Sequence, residues 1–140
     1  MPLIYRAMLI DGDKPRVGPT KKTLGVKPGD DIHDDIPVDE NGDVRPGTGG
    51  MSVAPAWRDL PAYRIPRRLQ PKCRKATGNN NYACWRMGEG PFSDGNLAEG
   101  LNLVIDSAWH GIVKPADVMS LERFQALLAA TQDLWVIDEE

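Results

Sequence analysis

Cysteine and histidine are scarce in this sequence, and their scarcity excludes several classes of protein. Its 140 residues include only two cysteines, Cys73 and Cys84, and two histidines, His33 and His110. The cysteines are too far apart for a Cys-x-x-Cys pair, and no second pair or His-x-x-x-His cluster completes a zinc site. We therefore expect free thiols, although an oxidising compartment would permit a disulfide between them.

Long apolar runs are also absent. No window of the sequence approaches the ~20 apolar residues that a membrane-spanning helix needs. The N-terminal residues do not combine a basic segment with an apolar run of signal-peptide length. The sequence therefore predicts a soluble, cytoplasmic protein with no membrane partner.

The chain length suits a single domain, residues 1–140, with a sizeable core. Hydrophobic residues make up 41% of the sequence, which is typical of a globular protein. The 14 glycines and 12 prolines predict many turns and irregular connections rather than a helical bundle.

The net charge of −3 conceals a separation of charge along the chain. Carboxylates are concentrated between residues 30 and 43, whereas residues 58–75 carry many basic side chains against one acid, Asp59. The basic residues are Arg58, Arg64, Arg67, Arg68, Lys72, Arg74 and Lys75. Such a distribution favours a charged partner.

Apolar and alternating runs predict strands along much of the chain. The predicted strands cover residues 3–10, 51–54, 82–87, 101–105, 109–113 and 134–137. Asn41-Gly42 is a dipeptide that two-residue hairpins prefer, so we also expect a hairpin there. Trp85, Trp109 and Trp135 lie in strand-like runs, which predicts core positions for all three.

One helix is strongly indicated after residue 120. Ser120 is a suitable N-cap, and the helix is expected to extend to about Ala130. Its apolar stripe consists of Leu121, Phe124, Leu127 and Leu128. Many short strands with one clear helix predict the α+β class.

Three short motifs carry side chains suited to chemistry. Arg6 interrupts an apolar strand, and an unpaired buried charge costs several kcal/mol, so it must have a partner or face a cleft. The glycine-rich turn at residues 45–53 would let a phosphate or ribose approach the backbone beside the hydroxyls of Thr48 and Ser52. A free imidazole titrates near neutrality, so a histidine such as His110 is suited to act as a base. Each has a structural alternative: an arginine paired with a carboxylate, a chain reversal, and a core or edge histidine.

These motifs, taken in order, resemble a toxin family. Ile4-Tyr5-Arg6-Ala7, Thr48-Gly49-Gly50-Met51-Ser52-Val53 and His110-Gly111-Ile112-Val113-Lys114-Pro115 resemble the type VI secretion effector toxins of ADP-ribosyltransferase-like fold. The resemblance implies a split β-sheet with few helices and NAD in its cleft. It also implies a transferase toxin that poisons a cytoplasmic target, acts on a macromolecular acceptor, and is restrained by a cognate immunity or antitoxin protein. Delivery into a rival cell and action in the producing cell are both compatible with it.

The resemblance also assigns roles to residues. It implies that His110, Ser52 and Thr48 are catalytic. It implies that Tyr5, Arg6, Gly49 and Gly50 bind NAD. Met51 stands where a hydroxyl residue would strengthen the match, and residues 55–100 show no alignment with the family.

A catalytic carboxylate is not identified by any motif. Cleavage of the glycosidic bond of NAD places positive charge on the ribose, so a nearby carboxylate would accelerate it. Glu89, Glu99 and Glu122 are candidates, but none lies in a family motif, and Glu122 is also explained as a first-turn helix residue.

A non-catalytic binding module is the alternative function. Residues 58–75, with Trp57 and Tyr63 close to the basic side chains, could bind RNA through phosphate contacts and stacking. The same segment could bind an acidic protein partner or be a solvated loop.

Overall fold

The computed structural model describes residues 1–140 and shows an α+β protein, mostly antiparallel sheets with one short α-helix. The strands are β1 (Ile4–Asp11), β2 (Lys14–Pro15), β3 (Asp43–Val44), β4 (Met51–Val53), β5 (Tyr82–Met87), β6 (Gly95–Ala98), β7 (Leu101–Ser107), β8 (His110–Pro115), β9 (Met119–Ser120) and β10 (Val136–Ile137). The helix α1 spans Leu121–Ala129, and short 3-10 helices span Trp57–Asp59, Ala62–Arg64, Arg67–Leu69 and Gln132–Leu134. None of these helices is long and apolar enough to cross a lipid bilayer.

The first sheet has the strand order β10-β5-β1-β2. Its longest ladder pairs β1 with β5, from Ile4 opposite Met87 to Leu9 opposite Tyr82. β1 turns into β2 at Gly12, whose φ of +66° is a left-handed conformation that suits glycine. The predicted strands at residues 3–10 and 82–87 are therefore confirmed.

The second sheet has the order β4-β8-β7-β6 and is joined to the first by one backbone bridge. In this bridge the N–H of Tyr5 donates to the carbonyl of Ala54 at 2.8 Å, and the N–H of Ala54 donates to the carbonyl of Tyr5 at 2.9 Å. The bridge places Arg6 of β1 close to Ser52 of β4. It therefore fixes the junction of the two sheets at the position of two predicted site residues.

Two apolar clusters hold the fold together. The larger contains 19 buried residues from both sheets, the connecting loops and α1, including Trp85, Phe124 and Leu128. The smaller has 8 buried residues, with Trp57 and Ile65 beneath the 3-10 helices. Burial of a large apolar side chain contributes about 1.5–3 kcal/mol, so the small cluster gives this irregular segment a fixed shape.

The predicted helix is confirmed together with its cap. The hydroxyl of Ser120 accepts a hydrogen bond from the backbone N–H of Arg123 at 3.0 Å, which satisfies one of the free donors of the first turn. Phe124 and Leu128 are fully buried, as the apolar stripe predicts.

Two expectations from the sequence are wrong. Asn41-Gly42 forms a turn, in which the carboxylate of Asp39 accepts from the N–H groups of Asn41 and Asp43, but the strand that follows it pairs with β9 and not with a preceding strand. Trp109 is 66% exposed and is no core residue, because it lies in the two-residue turn between β7 and β8.

Candidate functional site

A cavity of about 160 Å³ lies where the two sheets meet the first 3-10 helices. One wall, the sheet wall, is formed by Arg6, Ala7, Ser52, Val53, Ala54 and His110 from or beside β1, β4 and β8. The facing wall, the 3-10 wall, is formed by Asp59, Leu60, Pro61, Tyr63 and Arg64. Lys21 and Asp35 line it from the preceding loops. The cavity therefore brings together residues from all three sequence motifs.

Arg6 is buried, with only 6% of its surface exposed, and its guanidinium is bound by backbone carbonyls. Nε and Nη2 donate to the carbonyl of Thr23 at 3.2 and 3.0 Å, and Nη1 donates to the carbonyl of Ser52 at 2.8 Å. Nη2 also contacts the carbonyls of Thr20, Lys21 and Gly25. Burial lowers the pKa of Arg6 to about 10, so it remains a cation at neutral pH.

The main partners of Arg6 are thus backbone carbonyls, and not a carboxylate or a ligand. Most of its donors hold loop 20–25 against β4, and only Nη1 has fewer bonds than hydrogens. Arg6 lines the cavity, but it acts mainly as a structural cation at the base of the site.

Ser52 is the exposed middle residue of β4, between Met51 and Val53, which are buried. Its backbone pairs with Ile112 of β8, and its hydroxyl makes no hydrogen bond within the protein. The alternation of a strand therefore directs the serine to the cavity and the methionine to the core. A hydroxyl at position 51 would be buried, which explains why methionine stands there.

His110 begins β8 and is paired with Asp106 across the hairpin turn. Nδ1 of His110 lies 2.7 Å from Oδ1 of Asp106, and both side chains are nearly half exposed. An ionised Asp106 requires the hydrogen on Nδ1, which leaves the lone pair of Nε2 available to a ligand. His110 is therefore an oriented imidazole at the cavity and not a core residue.

Tyr5 and Thr48 are not brought to the cavity. The hydroxyl of Tyr5 lies outside the cavity and donates to the carboxylate of Asp138 at 2.8 Å. Burial, together with that carboxylate, raises the pKa of Tyr5 to about 12. Thr48 is exposed, and its hydroxyl donates to the carbonyl of Arg45 within the glycine-rich turn.

Gly49 and Gly50 allow close backbone packing rather than ligand access. A Cβ at Gly49, where φ is +127°, would lie 2.3 Å from the carbonyl oxygen of Asp35. A Cβ at Gly50 would lie 2.1 Å from the carbonyl oxygen of Val113. The two glycines let the backbone of the turn pack closely against Asp35 and against β8, and this packing positions β4.

The carboxylates at the cavity are Asp35 and Asp59; Glu89, Glu99 and Glu122 do not line it. Asp35 is neutralised, because its Oδ1 lies 2.5 Å from Nζ of Lys21 and its Oδ2 accepts from the N–H of Lys27. The carboxylate of Asp59 makes no hydrogen bond or ion pair, and only its backbone N–H is bonded, to the carbonyl of Ala56. The sequence motifs did not predict Asp59 as a site residue. The feature that distinguishes it in the sequence is that it is the single acid among the basic residues 58–75.

Tyr63 and Arg64 complete the 3-10 wall. The ring of Tyr63 is 66% exposed, and the guanidinium carbon of Arg64 lies 5.4 Å from its centroid. Arg64 donates from Nη1 to the carbonyl of Lys21, while its Nε and Nη2 form no hydrogen bond. Arg64 is therefore the cavity cation with the most free donors, a role that the sequence motifs assigned to Arg6.

Part of the basic stretch is neutralised by the acidic tail, residues 138–140. The carboxylate of Glu139 receives two hydrogen bonds of 2.7 Å from Arg68, and its carbonyl accepts from Nζ of Lys72 at 3.0 Å. Two parallel bonds between a guanidinium and a carboxylate make a strong and directional contact. The tail thus binds cations in the middle of the stretch, at residues 68 and 72.

The tail also anchors the 3-10 wall. Nε1 of the buried Trp57 donates to the carbonyl of Glu140 at 3.1 Å, and the guanidinium of Arg58 covers the same indole at 4.3 Å. The exposed cations of the stretch whose side chains form neither an ion pair nor a hydrogen bond are Arg67, Arg74 and Lys75. The buried Trp57 is consequently a support for the wall and not a surface for a ligand.

A scan against models of known protein families gives no match, and no curated protein matches the sequence significantly. The function must therefore be inferred from the side chains that line the cavity.

Proposed function

We propose that this protein is an NAD-dependent ADP-ribosyltransferase-like toxin that poisons a cytoplasmic target. The observation that carries the proposal is that Arg6, Ser52 and His110, which belong to three separate motifs, line one cavity. The mixed α+β architecture and the meeting of two antiparallel sheets at this cavity support it further. An immunity or antitoxin protein would protect the producing cell.

The side chains at the cavity fit part of a dinucleotide. The volume of about 160 Å³ is below the about 300–1,000 Å³ of most small-molecule sites, so the cavity can enclose only one portion of NAD. Tyr63 offers an exposed ring for stacking, and Arg64 offers free donors for a phosphate oxygen. Ser52 offers a free hydroxyl for a ribose or amide group.

Three groups of the protein are suited to catalysis. When bound, NAD supplies a ribose carbon that becomes positively charged as nicotinamide departs. The unpaired carboxylate of Asp59 would stabilise that charge. Nε2 of His110 would accept a proton from the attacking nucleophile, while Asp106 holds the imidazole in the required tautomer.

A thermal shift assay with NAD tests binding. A ligand that binds only the folded state stabilises it by about 2.7 kcal/mol at a hundredfold excess over its Kd, so the melting temperature should rise. His110→Ala and Ser52→Ala should reduce that rise or abolish turnover while leaving the protein folded. Thr48→Ala is the matched control, because Thr48 belongs to the same motif as Ser52 but is exposed outside the cavity.

Expression without a partner protein tests toxicity. The wild-type protein should arrest growth, and His110→Ala should relieve the arrest at an equal level of folded protein. Harmless wild-type protein together with no thermal shift at millimolar NAD would contradict the proposal and favour the non-catalytic binding module.

A further inference from the structure

Two exposed aromatic residues are connected with the proposed NAD cavity, one in its lining and one next in the chain to a lining residue. Tyr63 lies on the 3-10 wall, and Trp109 adjoins His110 of the sheet wall; each is 66% exposed. The other tryptophans, Trp57, Trp85 and Trp135, are at most 3% exposed. Single exposed apolar side chains are common, but two aromatic rings beside one polar cavity are typical of a binding surface.

The hairpin holds Trp109 in a defined place. β7 and β8 pair from Leu101 opposite Pro115 to Ser107 opposite His110, so the turn consists of Ala108 and Trp109 alone. The N–H of Trp109 donates to the hydroxyl of Ser107 at 3.2 Å, which closes this turn. A ligand that stacks on the indole would therefore lie next to the imidazole of His110.

Unneutralised positive charge continues from the 3-10 wall. Arg64 lines the cavity, and the chain leads from it to Arg67, Arg74 and Lys75, which are exposed without ion pairs. The acidic tail of this chain already neutralises part of the stretch, since Glu139 binds Arg68 and Lys72. Arg67, Arg74 and Lys75 are thus free to bind another anion. The exposed rings of Tyr63 and Trp109 favour an anion that carries planar groups able to stack.

We propose that the macromolecular acceptor is a single-stranded nucleic acid. Its unpaired bases stack on Trp109 and Tyr63, and its phosphates contact Arg67, Arg74 and Lys75. Exposed aromatic rings combined with unpaired cations are the groups with which proteins bind single strands, whereas the bases of a duplex are not available for stacking. The transfer step rests on the proposed function, but binding of the strand does not require NAD.

The transfer itself balances without another reactant. The bond between the ribose carbon and nicotinamide breaks, and its electron pair stays on the nicotinamide nitrogen. A nucleophilic oxygen or nitrogen of the strand forms the new bond to that carbon. Its proton passes to Nε2 of His110 and then to solvent.

Tryptophan fluorescence tests the proposal, because Trp109 is the only exposed tryptophan. A mixed-sequence single-stranded oligonucleotide, added without NAD, should quench part of the emission, and Trp109→Phe should remove the quenchable part. Anisotropy of a labelled oligonucleotide should show at least about fivefold weaker binding by Trp109→Ala, in line with the loss of one stacked base. Val118→Ala, which truncates another exposed apolar residue, should bind as the wild type does.

Charge variants give an independent readout. Replacing Arg67, Arg74 and Lys75 together by alanine should weaken oligonucleotide binding. It should also reduce the slope of the logarithm of the binding constant against the logarithm of the salt concentration by about 2, or about 0.7 for each lost phosphate contact. Replacing Lys14, Arg45 and Arg123 removes the same charge from other surfaces and should leave that slope nearly unchanged.

The outcomes separate this inference from the proposed function. Absence of oligonucleotide binding, equal binding of duplex, or insensitivity to Trp109→Ala would overturn the nucleic-acid acceptor, even if NAD raises the melting temperature. Labelled NAD that modifies protein but not nucleic acid in a cell extract would overturn it as well. Oligonucleotide binding without any NAD effect would retain the binding surface but contradict transferase activity.

Discussion

The two walls of the cavity differ in how they are held. On the sheet wall, Arg6, Ser52 and His110 lie on strands whose ladders and buried neighbours fix them. On the 3-10 wall, Asp59, Tyr63 and Arg64 lie on short irregular helices that depend on a small apolar cluster and the acidic tail. Regular structure positions the oriented polar groups, and the irregular segment presents the unpaired charges and the exposed ring.

The largest effect is expected from removing the cation at the base of the sheet wall. Arg6→Met would leave the carbonyls of Thr23 and Ser52 buried without their donor, and we expect a loss of about 3 kcal/mol or more in the free energy of unfolding. Urea denaturation would measure it. Arg16→Met is the control, because Arg16 is exposed and bonds a single carbonyl; its cost should be below about 0.5 kcal/mol. A loss below about 1 kcal/mol for Arg6→Met would show that the guanidinium does not hold the wall.

The second effect concerns the carboxylate of the 3-10 wall. If the proposed function holds, Asp59→Asn should lower NAD turnover about 100-fold, or about 2.7 kcal/mol, because it removes the charge that we propose to face the ribose. The urea midpoint and the NAD thermal shift should not change, since Asp59 has no partner in the protein. Glu122→Gln, outside the cavity, should leave turnover intact. Equal turnover in both variants would show that Asp59 takes no part in the reaction.

A smaller effect is expected where the tail supports the 3-10 wall. Glu139→Gln weakens the paired hydrogen bonds to Arg68 and should cost about 1–2 kcal/mol of unfolding free energy. Glu140→Gln is the matched control, because that side chain makes no hydrogen bond. A double-mutant cycle with Arg68→Gln isolates the interaction, and a coupling near zero would contradict the anchoring role.

The effect that is smallest near neutral pH, and grows only in alkali, is a pH dependence of stability beneath the tail. Burial raises the pKa of the Cys84 thiol to about 12, above the ordinary value of 9.0 that applies in the unfolded chain. The native protein keeps this proton while the unfolded chain loses it, so the contribution of Cys84 to stability is complete below pH 9 and declines between pH 9 and 12. Melting temperatures of Cys84→Ala across this range should fall less steeply than those of the wild type. Parallel profiles would contradict the shift.

Sequence patterns were most informative for the sheet wall. Apolar runs and alternation placed β1, β4, β5, β7 and β8 within about two residues, because burial of one face imposes that period. The same alternation explains why Ser52 and not Met51 reaches the cavity. The need of Arg6 for a partner also followed from its apolar surroundings.

The 3-10 wall could not be predicted in the same way. Residues 57–69 show no period, and their shape depends on Trp57 and Ile65 packing against β-strand residues distant in sequence. Arg6 binds the carbonyls of residues 20–25 because that loop folds back against β1. The identities of the side chains do not reveal that path of the backbone. Trp109 looked like a strand residue because a two-residue turn is too short to interrupt an apolar run.

The burial of Arg6 has a consequence for the order of folding. Its guanidinium can exchange water for carbonyls only after loop 20–25 and β4 have both docked on β1, and the bond to Ser52 spans 46 positions of the chain. We expect a contact that needs two prior docking events to form after the rate-limiting barrier. We therefore expect Arg6→Met to leave the refolding rate nearly unchanged and to accelerate unfolding. This one side chain would then stabilise the native state by slowing its unfolding.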